Sequence, residues 1–141
     1  MPERTFIGVE GNYNHNEPPP EDLANVRIVP NGPNIRQVYE QTRILLVPSE
    51  YESWSRCAIE ASTSGIPVIA APTPGLLESL GEAGIFADQG DTVAWLRNIE
   101  NLDEPRTYQA ASDAVRARAA YHEERSNAEL LCLENALYEV R

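Results

Sequence analysis

The sequence predicts an α/β protein with a doubly wound parallel sheet and a helical C-terminal tail. Two observations favour this class. Short apolar runs alternate along the chain with segments of helical periodicity. Two of the runs, 44–47 and 67–71, are apolar without alternation, which is typical of strands covered on both faces. With 141 residues and 42% apolar content, we expect a single domain over 1–141.

The N-terminal third is predicted to hold two strands and a helix. The apolar runs 5–9 and 26–29 indicate strands. Between them lies the polar stretch 12–22. Its three consecutive prolines, residues 18–20, exclude both a helix and an inner strand at that point, and one turn of helix is predicted after them over 21–24. The helical spacing of Ile35, Val38 and Tyr39 predicts a helix over 35–41.

The central segment is predicted to form a βαβ unit. A strand at 44–47 precedes a helix over 55–64, with Ser55 placed to cap it and Gly65 to end it. A second strand follows at 67–71. Because such crossovers are right-handed, the loops after both strands lie at one edge of the sheet, where ligands bind in open α/β sheets.

The rest of the chain is predicted to be mainly helical. Gly75 precedes a short helix through Leu80, a brief strand occupies 85–87, and Asp91 caps the next helix. Two separate helical patterns close the chain, the first marked by Tyr108, Ala111 and Val115 and the second by Leu130, Leu133, Leu137 and Val140.

The charge balance excludes several classes of partner. Eleven Arg, no Lys and 22 acidic residues give a net charge of −11, which repels nucleic acid and anionic membrane surfaces. No apolar run approaches the roughly 20 residues of a membrane span, and the N-terminus lacks the pattern of a signal peptide. Cys57 and Cys132 have no paired spacing typical of metal or redox sites. We therefore predict a cytoplasmic protein.

Two carboxylates, Glu52 and Glu60, flank the predicted start of the 55–64 helix. A helix N-terminus suits a phosphate, and a carboxylate just inside the helix can accept hydrogen bonds from a ribose diol. A nucleoside diphosphate sugar has this order of parts. The alternative is that Arg56 and Glu60 form an ordinary i,i+4 ion pair, worth about 0.2 to 0.5 kcal/mol, and that Glu52 is a solvated loop residue. Spacing alone favours the alternative.

Five motifs follow one another between residues 43 and 91: Pro48–Glu52, Arg56–Ala61, Gly65–Ala70, Gly75–Glu78 and Glu82–Ile85. In this order and at these gaps they resemble the group 1 family of retaining GT-B glycosyltransferases. In that family a Pro-Ser strand end leads into two Glu separated by seven residues, then a Gly-x-Pro-Val strand and a Gly-containing loop that ends in Glu. The resemblance implies the Rossmann-like C-terminal, donor-binding half of a GT-B fold.

The resemblance also implies residue roles. Glu60 would bind the ribose, and Glu52 would contact the donor sugar near the reacting centre as the catalytic candidate. The backbone and side-chain contacts to the donor would come from the remaining predicted site residues, which are Ser53, Trp54, Ser55 and Arg56 at the helix start, Gly75 after the next strand, and Val29, Pro30 and Asn31 beside the nucleobase.

The activity implied is transfer of a sugar from a nucleoside diphosphate donor with retained configuration, using no cofactor and no metal. An acceptor-binding domain that complements this one is the expected partner. The chain begins at what resembles the second strand of the donor domain, so we expect 1–141 to be truncated at its N-terminal strand and inactive alone.

Departures from the family pattern leave alternatives open. Ser53-Trp54-Ser55 stands where the family commonly has a Gly-Phe-Gly run, and no Lys is present to contact phosphates. A noncatalytic nucleotide-sugar-binding or interaction module of the same fold is therefore the alternative. A nucleotide-sugar 2-epimerase is less favoured, since the acidic and arginine-rich signature is missing after the 67–71 strand. Trp54 would stack on the donor or pack on its own domain, and His15 and His122 are predicted to be solvated bystanders.

Overall fold

The computed structural model describes residues 1–9 and 23–139. The polar stretch 12–22 with its three prolines, His15, and the start of the predicted helical turn at 21–24 lie outside the described residues, as does Val140. The chain divides into two compact units, Met1–Glu40 and Gln41–Arg141. Each unit is described by itself.

The first unit is built on a pair of parallel strands. Strand β1 (Phe6–Val9) pairs with β2 (Val26–Val29), with Phe6 opposite Val26 and Val9 opposite Val29. Helix α1 (Ile35–Gln41) follows. The Asn25 amide donates to the carbonyls of Met1 and Arg4 at 3.1 and 3.0 Å, which ties the N-terminal residues to the start of β2. Both strands and the helix were predicted.

The second unit contains a three-stranded parallel sheet in the order β3-β4-β5. These strands are β3 (Leu45–Val47), β4 (Val68–Ala70) and β5 (Ile85–Phe86). Leu45 lies opposite Val68, and Ile69 lies opposite Ile85. All three residues of β4 are fully buried, as the unbroken apolar run predicted, whereas two of the three β3 residues are half-buried.

Helices pack around this sheet. They are α2 (Arg56–Thr63), α3 (Pro74–Leu80), α4 (Thr92–Asn101) and α5 (Pro105–Glu139), with a 3-10 turn at Gly81–Ala83. The α3 helix begins at Pro74, two residues before the predicted start after Gly75, with Thr73 as its cap. Asp91 caps α4 as predicted, accepting the Ala94 amide at 2.9 Å. Fully buried side chains of the core include Ala58, Ala61, Val68, Ile69, Leu76, Leu80, Leu102 and Val115.

The two C-terminal helices predicted from the sequence are one continuous helix, α5. The prediction of a break was wrong because no Gly or Pro follows Pro105, and the segment between the two apolar patterns consists largely of Ala, Arg and Glu, which favour helix. Val115 in the first half is fully buried, whereas Leu130, Leu133 and Leu137 in the second half are exposed. Across the described part of the chain, no helix combines the length and apolar character needed to cross a membrane.

Candidate functional site

Residues 48–55, here called the β3 loop, connect β3 to α2. Glu52 lies in this loop, and Glu60 lies in the helix that follows it. Glu52 is half-buried in the loop, and the Glu60 side chain, one turn inside the helix, is 44% exposed. No hydrogen bond or ion pair joins the Glu52 carboxylate to another described residue. Both carboxylates therefore remain accessible from solvent at the end of the helix where a phosphate would be favoured.

The Arg56–Glu60 ion pair is present but weak. Arg56 Nη2 lies 3.9 Å from Glu60 Oε1, and the Arg56 side chain is 90% exposed. A long pair in solvent contributes little to stability, since water screens it and the long side chains lose conformational entropy. The pair alone thus gives no strong structural reason for a glutamate at position 60.

Ser55 occupies the N-cap position of α2, yet its side chain does not cap the helix. The hydroxyl lies 3.2 Å from the Cys57 thiol instead, and the residue is 1% exposed. The Ser55 carbonyl begins the helix by accepting from the Ile59 amide at 3.1 Å. The predicted position is confirmed and the predicted side-chain cap is wrong, because the hydroxyl contacts the Cys57 thiol instead of accepting a backbone amide.

Gly75 brings the loops after β3 and β4 together. It is buried near the start of α3, and a Cβ at this position would overlap the backbone carbonyls of Glu52 and Ser53. The glycine requirement therefore comes from close contact with the backbone of the β3 loop. The prediction that both loops share one edge of the sheet is confirmed, and a direct contact between Gly75 and a donor stays a prediction.

Few bonds hold the β3 loop. The Gln89 amide donates to the Pro48 carbonyl at 2.9 Å at the loop's beginning. From 49 to 54, no backbone-to-backbone hydrogen bond reaches another residue that the structure describes. Tyr51 in the middle of the loop is 91% exposed. The conformation of the loop therefore depends on packing contacts such as that of Gly75.

Trp54 supplies a second packing contact for the β3 loop. Its partner is His122, which the sequence predicted to be solvated. The Trp54 ring meets His122 edge-to-face, with centroids 5.0 Å apart and an interplanar angle of 77°. His122 is half-buried, and its Nε2 lies 2.7 Å from the Ser79 carbonyl oxygen. The prediction of a solvated histidine was wrong because α5 runs unbroken past α3. Position 122 lies seven residues after buried Val115, a spacing that keeps both on one face of a helix.

A cleft of about 630 Å³ lies beside Trp54 between α2, α3 and α5. Its lining includes Ile59, Thr63, Glu78, Arg116, Glu123 and Glu129, and neither Glu52 nor Glu60 takes part. The cleft and the two carboxylates are thus different surfaces of the second unit.

The remaining predicted residues belong to the first unit. Val29 ends β2, and Pro30 and Asn31 follow it with exposed side chains. Their contact with a nucleobase stays a prediction. Within 1–9 and 23–139, no group of three or more His, Cys, Asp and Glu side chains is arranged to hold a metal ion.

A family model described as "Glycosyl transferases group 1" matches residues 6–104, which is well over half of the chain. The chain belongs to the group 1 glycosyl transferases. The matched range contains every residue assigned to the candidate site from the sequence, and it includes the loop and helix that carry Glu52 and Glu60. The resemblance inferred from the five motifs is therefore confirmed.

Curated relatives of this glycosyl transferase chain carry the name D-inositol 3-phosphate glycosyltransferase. The protein from Corynebacterium diphtheriae is 34% identical over 107 residues, covering 73% of this chain and 22% of the relative. That from Corynebacterium glutamicum strain R is 31% identical over 134 residues, covering 92% of this chain and 29% of the relative. The chain thus spans about a quarter of the length of these relatives.

Solved structures of GT-B glycosyltransferases share the fold of this group 1 chain. A sucrose-phosphate synthase from Thermosynechococcus elongatus superposes with a TM-score of 0.70 at 24% identity, covering 83% of this chain and 31% of the other. A glycosyltransferase from Rickettsia africae gives 0.65 at 20% identity, covering 76% and 31%. The predicted fold class is confirmed by these neighbours.

Proposed function

We propose that this chain is the nucleotide-sugar-binding half of a retaining glycosyltransferase, which moves a sugar from a nucleoside diphosphate donor to an acceptor. The observation that carries the proposal is the placement of two accessible carboxylates, Glu52 and Glu60, around the N-terminal end of α2 in a group 1 glycosyl transferase.

The parts of such a donor match the order of groups along the loop and helix. The diphosphate is proposed to bind at the start of α2, where backbone N–H groups and the helix dipole favour an anion without lysine. Arg56, whose side chain is 90% exposed, is available to add a positive charge. Glu60 would accept hydrogen bonds from the ribose diol, and Glu52 would accept them from the sugar.

The proposed chemistry depends on electrostatic complementarity to the transition state. As the bond between the anomeric carbon and the diphosphate oxygen breaks, the electron pair goes to that oxygen, and positive charge develops on the sugar. The N–H groups at the start of α2 would stabilise the oxygen, and the Glu52 carboxylate would stabilise the sugar. The acceptor hydroxyl oxygen would form the new bond to the anomeric carbon, and its proton would pass to the departing diphosphate oxygen. We assign Glu52 to binding and stabilisation rather than to nucleophilic attack.

The acceptor is proposed to bind to a complementary domain. The aligned part of this chain covers only 22% and 29% of two curated relatives, so most of each relative is not represented in it. We expect the 141-residue chain to bind donor without turnover, using no cofactor, metal or nucleic acid. A cytoplasmic location is part of the proposal.

Isothermal titration of the chain with UDP-glucose, GDP-mannose and ADP-glucose tests the proposal. Glu60→Gln and Glu52→Gln keep side-chain size and remove a charged acceptor. Because hydrogen bonds to charged groups contribute about 1.5 to 3 kcal/mol, we expect each variant to weaken donor binding about tenfold or more.

Glu129→Gln is the matched control. Glu129 pairs with Arg125 at 2.8 Å in the same i,i+4 arrangement, and it lines the cleft beside Trp54. We expect the donor affinity of this variant to stay within about twofold of the parent, because the substitution removes only one exposed ion pair. A loss in this variant alone would move the site to the cleft. Absence of binding by the parent would instead favour a noncatalytic interaction module.

A further inference from the structure

We propose that His122 is a positioning residue for the donor site, which acts by holding Trp54 and through it the loop that carries Glu52. This inference rests on the proposed function. His122 lies on α5, 62 residues after Glu60, and it belongs to none of the five motifs that carry the family resemblance.

The loop needs such a support because its backbone supplies so little. Described residues make no backbone-to-backbone hydrogen bond with positions 49 to 54. Trp54 lies between Ser53, whose carbonyl contacts Gly75, and Ser55, which is buried at the start of α2. The Trp54 ring is therefore the largest side chain through which the middle of the loop can be fixed.

His122 is itself fixed independently of the loop. A carbonyl oxygen can only accept, so the 2.7 Å contact with Ser79 requires that Nε2 carry a proton and donate. Arg118, one turn earlier on α5, donates from Nε to the same carbonyl at 3.0 Å and from Nη2 to the Glu78 carbonyl. These bonds attach α5 to the last turn of α3. The position of the imidazole is therefore fixed by contacts that do not involve Trp54.

The contact between the rings has the geometry of a favourable aromatic pair. The 5.0 Å separation and 77° angle place the edge of one ring toward the face of the other. Such pairs contribute beyond the apolar area that they bury. Tyr121 makes a second edge contact with the imidazole at 5.5 Å, which restricts the ring further. Trp54 is 40% exposed, so the contact with His122 restrains a side chain that solvent still reaches.

Three substitutions separate the two interactions of His122, which are the hydrogen bond to Ser79 and the ring contact with Trp54. His122→Phe keeps an aromatic ring and removes the hydrogen bond to Ser79. His122→Gln keeps a donor and removes the ring, and His122→Ala removes both. Each variant of the 141-residue chain is titrated with whichever of UDP-glucose, GDP-mannose and ADP-glucose the parent binds most tightly. Its unfolding in urea is measured alongside.

We expect donor affinity to follow the ring and stability to follow the hydrogen bond. The dissociation constant should rise about three- to tenfold in the Gln and Ala variants, the size of an aromatic contact, and stay within about twofold in the Phe variant. The urea midpoint should fall in the Phe and Ala variants. A purely structural histidine would give the same order in both measurements, which would overturn the inference.

Tryptophan emission separates failure of this inference from failure of the proposed function. In a Trp95→Phe background, Trp54 is the only tryptophan left. Its emission should shift in the Gln and Ala variants without any donor. An unchanged spectrum overturns the ring contact. A shifted spectrum with unchanged affinity overturns only the positioning role, and absence of donor binding by the parent overturns the proposed function and, with it, this role.

Discussion

The two ends of α2 differ in how fully hydrogen bonds and packing close them. At the C-terminal end, the amide of Gly65 donates to the Ser62 carbonyl and the amide of Ile66 to the Ala61 carbonyl, both at 2.9 Å. These two bonds form a Schellman motif, which requires the positive φ of 72° at Gly65. Helix α5 then covers this end, with Ser112 donating to the Gly65 carbonyl at 2.7 Å.

The N-terminal end has no comparable closure. The cap residue Ser55 directs its hydroxyl to the Cys57 thiol, and the loop before it contains the half-buried Glu52 and the exposed Ser53. Under the proposed function, the C-terminal end of the helix serves stability and the N-terminal end binds the donor. Substitutions at the two ends should then separate stability from donor binding.

The largest effect is expected where both properties meet, at Gly75. A methyl group in Gly75→Ala would overlap the carbonyls of Glu52 and Ser53, so the β3 loop must move. We expect the free energy of unfolding to fall by about 2 to 3 kcal/mol, as in overpacked cores. Donor affinity should fall about tenfold or more, because small displacements of binding groups are costly. Chemical denaturation and calorimetric titration measure the two losses.

Gly90→Ala is the control for this substitution. No atom lies within 4 Å of a Cβ built at Gly90, which follows β5 in an exposed turn. Its stability and donor affinity should match those of the parent. If Gly75→Ala also matches the parent, the two loops do not contact each other as described.

A smaller effect that touches only stability is expected from Gly65→Ala. The left-handed conformation costs a residue with a side chain about 1 to 2 kcal/mol. The new methyl would also displace the Arg116 guanidinium, which donates to the Ser64 carbonyl at 3.3 Å. We expect a comparable drop in the free energy of unfolding, with donor affinity unchanged in the folded protein. A large loss of donor affinity would show that the C-terminal end also serves the site.

The smallest effects compare helix caps. Asp91 accepts the Ala94 amide at 2.9 Å, so Asp91→Ala should cost about 1 kcal/mol of stability. Ser55→Ala removes no capping bond and should cost about 0.5 kcal/mol or less, the low end of the range for caps. Equal losses in urea unfolding would mean that Ser55 caps α2 in solution, which would contradict the description of an uncapped end.

Local sequence signals were sufficient for most of the fold. The spacing of Ile35, Val38 and Tyr39 located α1, and Gly65 and Asp91 marked helix ends because their roles depend on a few neighbouring atoms. The candidate site followed from ordered motifs, and family membership confirms the resemblance that they carry. The role of each site residue stays a prediction.

Features that depend on distant contacts were missed. His122 meets Trp54 across 68 positions of sequence, so no local pattern could pair them. The Ser55 hydroxyl contacts the Cys57 thiol instead of the expected backbone amide, which the general preference for serine at helix caps does not predict. Helix α5 was divided in two because its apolar residues change from buried to exposed along its length, while its backbone continues.

The most direct test maps the ligand onto the two ends of α2. Amide signals of the 15.7 kDa chain are followed by NMR during titration with UDP-glucose, GDP-mannose or ADP-glucose. We predict the largest shifts at amides 53 to 58, together with slower hydrogen exchange there, and no change at Ile66. Shifts centred on 119 to 126 beside the cleft, or equal at both ends of α2, would contradict the claim that its N-terminal end is the donor site.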